Sequence, residues 1–203
     1  MGAKLGLGAV AVLAHYISVQ IAVTLALGLS MYPLAVLAGR VKPTAFARAA
    51  PPAQAVAAST QSSLASLPPM LAGAEKLAVA PAVSSVVLPL AVALFRIAAP
   101  ASIVIVTLAM ARMNGIEVGP ATLAVVALLA TVNTLVIVGL PNQVTFFAAD
   151  APPAIAAGVP IELLPLLLAV DTIPGIFYTV SNVTADLALT SVVGRDSARH
   201  EAS

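Results

Sequence analysis

The chain has 203 residues, 61% of them hydrophobic and 8% charged, with a formal net charge of +1. A water-soluble domain carries roughly a quarter charged residues, so this balance excludes one, and the near-zero net charge excludes the basic field that nucleic-acid binding needs. With no cysteine, disulfides, thiolate metal sites and thiol nucleophiles are excluded as well.

The first element is a spanning helix over 4–39. From Leu5 to Gly39 the only titratable cationic side chain is His15, and about 20 apolar residues suffice to cross a bilayer. Lys4 followed by an apolar run resembles a signal peptide. The run outlasts a signal's apolar segment of about 7 to 15 residues and lacks a clean cleavage site, so a retained span is expected.

After a basic loop of Arg40, Lys42 and Arg48, residues 43–76 are apolar but interrupted by "APPAQ" and "LPPM". Each arm is short for a crossing, which predicts a re-entrant helical hairpin, with Pro51 and Pro52 each removing a helix hydrogen bond. A second spanning helix is expected over 80–112, with Arg96 standing in an otherwise uncharged run from Leu77 to Ala111. The polar connector "RMNGIEVGP" leads into a second re-entrant hairpin over 119–158, interrupted by "GLPNQ" at 139–143. A third span over 160–194 and a polar tail over 195–203 complete a single membrane domain. Irregular backbone at membrane depth is tolerated where it lines a protein-enclosed or watery cavity, and interrupted segments recurring in two halves point to a transporter's binding site. With the first span running inward, Arg40, Lys42, Arg48, Lys76, Arg195 and Arg199 lie inside and Lys4 and Arg112 outside, as the positive-inside rule asks.

The third span holds the most informative pattern. At helical spacing Asp171, Gly175, Tyr178, Thr179, Asn182 and Asp186 fall in one narrow stripe, with Ile, Val and Leu on most other faces. An aspartate at a helix centre costs about 2.5 to 3.5 kcal/mol on insertion scales, so two on one stripe ask for cations, a watery cavity or Arg96 as a partner. Interhelical hydrogen bonding is the structural alternative for the Asn and Thr of the stripe.

At this point the chain resembles a known family. "NVTADL" at 182–187 is similar to the Asn-Val-Thr-Gly-Asp-Leu signature of the dicarboxylate/amino acid:cation symporters, the glutamate transporter superfamily. The likeness continues through "STQSSLASLP" at 59–68, "VLPLAVAL" at 87–94 and "GLPN" at 139–142. It covers nearly the whole chain but only the C-terminal half of that family's architecture. It implies an all-α integral membrane fold of three spanning helices and two re-entrant helical hairpins, like the family's transport core. It also implies that Ser62 and Ser63 sit at the first hairpin tip, where helix N-termini suit a substrate carboxylate. Thr179 and Asn182 would line the substrate pocket, Gly139 and Pro141 would belong to the second tip gating it, and Asn182 with Asp186 and nearby carbonyls would ligate a sodium ion, for which oxygen ligands are apt.

Departures from the pattern matter. The resemblance implies that the second span is broken near 95–100; where the family has Asn-Met-Asp-Gly-Thr in that broken helix, this chain has Phe95, Arg96, Ile97, Ala98 and Ala99, so the side-chain oxygens of one cation site are missing. Arg96 can act as an internal counter-ion to Asp186 or Asp171, grip a substrate carboxylate in bidentate fashion, or extend to the interface. Tyr178 stands where the family grips an acidic side chain with arginine, and Gly175 where a carboxylate holds an amino group. Coupling is therefore expected to use a reduced set of sodium sites, or a proton, with a small carboxylate as substrate.

Other patterns carry nothing: "GLGAVA" at 6–11 lacks the strand a dinucleotide loop needs, His15 has no second metal ligand at helical spacing, and Ser62 and Ser63 have no histidine for hydrolytic chemistry. No enzyme activity is implied. The leading reading is a cation-coupled symporter in a bacterial inner membrane, in contact with lipid and, by family resemblance, a homotrimer whose scaffold helices are absent from this chain. The alternatives are a truncated homologue that is inactive or needs a partner chain, and a structural or channel-like bundle.

Overall fold

A computed structural model describes the backbone of residues 2–136 and 142–200 and the side chains of residues 10–135 and 145–195. Among these the structure is helical throughout: α1 (Gly2–Leu37), α2 (Pro43–Ala49), α3 (Pro51–Thr60), α4 (Leu67–Lys76), α5 (Pro81–Leu94), α6 (Ala98–Met113), α7 (Pro120–Val136), α8 (Asn142–Ala156), α9 (Leu164–Val170) and α10 (Thr172–His200).

Three stretches are long and apolar enough to cross a membrane: Val10–Leu37, Pro81–Met113 and Thr172–Arg195, with mean hydropathies of 1.9, 2.1 and 1.3. The least apolar of them, on α10, is the most enclosed, with 61% of its best window buried against 17% for α1. Its polar residues are tolerable because neighbouring helices surround them. In α1 the buried positions Tyr16, Gln20, Thr24, Gly28 and Ala35 share one face, as a spacing of four and seven residues requires.

The chain divides into two compact units. One comprises residues 25–98 and 176–203. Its core gathers Phe46, Met70, Leu88, Val183 and Leu187 with a set of alanines, Ala49, Ala50, Ala53, Ala57 and Ala74. Small side chains let helices approach closely, the main source of attraction where lipid removes the hydrophobic drive. A Cβ on Gly28 would fall 2.7 Å from Ser181 Oγ, and one on Gly73 would fall 3.0 Å from the Ala49 carbonyl. Tyr32 packs edge-on against Phe46, with ring centroids 5.0 Å apart.

Within this unit α2, α3 and α4 form a helical hairpin. Pro51 and Pro52 do not damage its first arm, as the sequence suggests they would. They occupy the first turn of α3, where a proline's missing N–H removes no intrahelical bond, and the arm becomes two short helices meeting at Ala50. Gln61 ends α3 in the left-handed conformation, with φ of 50°. Gln54 then ties the hairpin to the rest of the unit, donating to Thr184 Oγ1 at 2.9 Å and to the Tyr32 hydroxyl at 3.2 Å.

The other unit comprises residues 1–24 and 99–175. Tyr16, Val106, Met110, Phe146, Leu164 and Leu167 form its core, and α7 packs along α8 as a second hairpin. Pro152 and Pro153 lie inside α8, so the carbonyls four residues back, on Ala148 and Ala149, lose their helical donors. Asn133 of α7 donates its amide to the Ala149 carbonyl at 3.2 Å, replacing one of them. The last apolar stretch is not one helix: α9 ends before Asp171, and α10 starts after it and continues to His200.

Candidate binding site at the broken helix

The second span breaks at Phe95–Ile97, between α5 and α6. A break of this kind strands the first N–H groups of the following helix, which need acceptors. Asn182 of α10 supplies one: its Oδ1 accepts the Ala98 N–H at 3.0 Å, with both groups buried. The cap is side chain to backbone across 84 residues, so it fixes the broken segment against α10.

Around this bond the centre is polar and incompletely bonded. Thr179, Asn182 and Asp186 are each at most 5% exposed, yet Asn182 Nδ2 and Asp186 Oδ1 have no hydrogen-bond partner. Buried polar atoms are nearly always paired in folded proteins, so two orphans one turn apart set this stretch of α10 apart from its apolar surroundings. The Asp186 main-chain carbonyl accepts the Thr190 hydroxyl at 2.7 Å; its carboxylate is left over.

Arg96 lies in the break, half-buried, with its guanidinium carbon 5.8 Å from the centroid of the Tyr178 ring, within cation–π range. It is the charged neighbour of Asp186 but forms no close ion pair with it. The structure thus brings Arg96, Tyr178, Asn182 and Asp186 to one region of this unit, with Thr179 on the same helix.

Ser62 and Ser63 occupy the turn between α3 and α4, half-buried. Ser62 is spent on the turn itself: its hydroxyl accepts the Ala65 N–H at 3.2 Å, its carbonyl accepts the Ser66 hydroxyl at 2.9 Å, and its N–H donates to Thr60 Oγ1 at 3.2 Å. Gly139 and Pro141 lie outside the described residues. Sequence reasoning does not anticipate the Asn182 cap, although an asparagine one turn from an aspartate, facing a broken helix, is the signal that could have found it.

Three long apolar helices, a broken second span and unpaired polar groups on the third define an α-helical, multi-pass membrane protein with a polar centre. No curated protein matches the chain. The model of the sodium:dicarboxylate symporter family matches residues 1–196, and the chain belongs to that family. The match runs over almost the whole chain and is not confined to a C-terminal part of it.

Proposed function

We propose that this protein is a secondary transporter that carries a small carboxylate across a bacterial inner membrane by cation-coupled symport with alternating access. The observation that carries the reading is the bond from Ala98 N–H to Asn182 Oδ1 with Asp186 Oδ1 left unpaired beside it. A broken helix facing an orphaned carboxylate gives backbone and side-chain oxygens at one depth, which is how membrane carriers hold a coupling cation.

In this reading Asn182 and Asp186 hold the cation. Asn182 keeps a second lone pair on the oxygen that caps Ala98, so it can still act as a ligand. The positive charge of Arg96 near Asp186 competes with a cation, which favours weak sodium dependence, or a proton in its place. The substrate carboxylate lies between the Ser62 and Ser63 turn and the Arg96, Tyr178 and Thr179 group. In that turn the N–H groups of Ser63 and Leu64 donate to no backbone carbonyl among the described residues, which leaves them open to an anion. Both hairpins enter and leave the membrane on one side, and the assembly is a homotrimer.

The test is a thermal-shift titration of the purified chain with glutamate, aspartate, succinate and lactate, each with and without sodium. Stabilisation by succinate that is lost in Asn182→Ala and Asp186→Asn supports the reading. No stabilisation by any of these carboxylates, or an unchanged shift in both variants, sinks it.

A further inference from the structure

A second buried polar cluster lies in the unit of residues 1–24 and 99–175, on residues to which the proposed function gives no role. Asp150, in the middle of α8, is 4% exposed, and its Oδ1 has no hydrogen-bond partner. Tyr16 of α1 is 2% exposed, and its hydroxyl turns toward Asp171. Asp171, between α9 and α10, is the charged neighbour of Asp150, and both carboxyl groups act on the Tyr16 hydroxyl. Three elements far apart in sequence therefore bring oxygen-bearing side chains together, Tyr16 and Asp150 buried and Asp171 half-buried, beside an apolar core of Val106, Met110, Phe146, Leu164 and Leu167.

We infer that Asp150 is a proton-binding group, carrying a proton beside Asp171 and facing the Tyr16 hydroxyl. An ionised carboxylate in such surroundings needs a cation or several donors, and two neighbouring carboxylates disfavour ionisation of both. Among the described residues no cation serves the pair. α7 and α9 contain no ionisable side chain. His15 of α1 and Arg112 of α6 are exposed, as are Glu117 and Glu162 in the flanking loops. Among the described residues no group of three or more histidine, aspartate or glutamate side chains is arranged to hold a metal ion. A proton is the ligand that needs only one free carboxylate oxygen, and Asp150 Oδ1 is such an oxygen.

The surrounding backbone fits this role. Pro152 and Pro153 interrupt the hydrogen bonding of α8 just after Asp150, and Asn133 repairs it at Ala149. A helix opened at that point can admit water to the carboxyl more readily than a continuous one. In a symporter a group that gains and loses a proton at depth is a coupling group. That consequence rests on the transport reading; the proton site itself does not.

The test is infrared spectroscopy of the full purified chain in lipid, titrated in pH, following the C=O stretch of protonated carboxyl groups. The expected result is a component present at neutral pH, absent in Asp150→Asn and retained in Asp186→Asn. Removing the neighbouring negative charge in Asp171→Asn should move its loss to lower pH. Tyr16→Phe, which deletes only the hydroxyl beside Asp171, should shift the band. Should Asp150→Asn not fold, the displaced midpoint in Asp171→Asn decides the matter. A component unchanged by Asp150→Asn, or a midpoint unmoved by Asp171→Asn, overturns the inference. So does loss of the component on adding sodium at constant pH, which would make this a metal-cation site.

Discussion

The Asn182 cap on Ala98 makes a quantitative demand. In Asn182→Ala the buried Ala98 N–H, at a residue with 0% exposure, loses its side-chain acceptor. An unsatisfied buried backbone donor costs about 1 to 3 kcal/mol. Deleting the orphaned Nδ2 offsets part of this, and the cavity left by the truncated side chain adds to it. About 2 kcal/mol is then the net expectation, which at about 3 °C per kcal/mol for a chain of this size lowers Tm by about 6 °C. The control is Ser191→Ala. Ser191 is 2% exposed and lies on the same helix, but its hydroxyl donates to the Ala188 carbonyl one turn back at 2.7 Å, a local bond whose loss does little to a helix. Thermal unfolding of both variants in the same detergent measures the difference. If Asn182→Ala melts within a degree or so of Ser191→Ala, the long-range cap does not hold the broken helix, and the geometry argued for the site fails with it.

A double-mutant cycle on Arg96 and Tyr178 should return a coupling of about 0.5 to 2 kcal/mol for a cation over an aromatic ring, and zero coupling would remove that contact from the account. Gly28→Ala brings a methyl group within 2.7 Å of Ser181 Oγ; it should lower Tm, and Ser181→Gly should restore part of the loss, an outcome absent if α1 and α10 do not meet there. Gln54→Leu deletes both bonds tying the first hairpin to Tyr32 and Thr184. Hydrogen exchange should then rise across α3 before it rises in α10, and uniform exchange would mean the hairpin is held by packing alone.

Much of the fold is legible in the sequence because membrane insertion leaves few ways to satisfy a backbone. Unbroken apolar runs become spans, whereas the break at Phe95–Ile97 follows only from the family resemblance, since one arginine in an apolar run does not by itself end a helix. The prolines at 51 and 52 read as damage because their cost depends on position: in the first turn of α3 they are harmless. The Asp171 interruption is likewise invisible to composition, since the apolar run from 163 to 170 merges in hydropathy with the start of α10. In the site, Asn182 and Asp186 stand out by their spacing on α10, whereas their relation to Ala98 is a contact over 84 residues that no local pattern encodes. The Asp150 cluster is missed for the same reason: Tyr16, Asp150 and Asp171 share no repeat or motif, and only the fold brings them to one core. A lone aspartate in an apolar helix followed by two prolines is the local signal that was there to be noticed.

The central claim is coupled transport through the centre bounded by Asn182 and Asp186, and uptake into proteoliposomes tests it most directly. Labelled succinate and aspartate would be offered to the reconstituted chain with an inward sodium gradient, with an inward proton gradient and with neither. On the proposed reading, in which Gly175 and Tyr178 stand where the family resemblance implies groups for an ammonium and a distal carboxylate, gradient-driven uptake of succinate with weak dependence on sodium is expected. Asp186→Asn should abolish it while leaving insertion intact. Strong sodium-dependent uptake of aspartate in preference to succinate, or full uptake by Asp186→Asn, would contradict it.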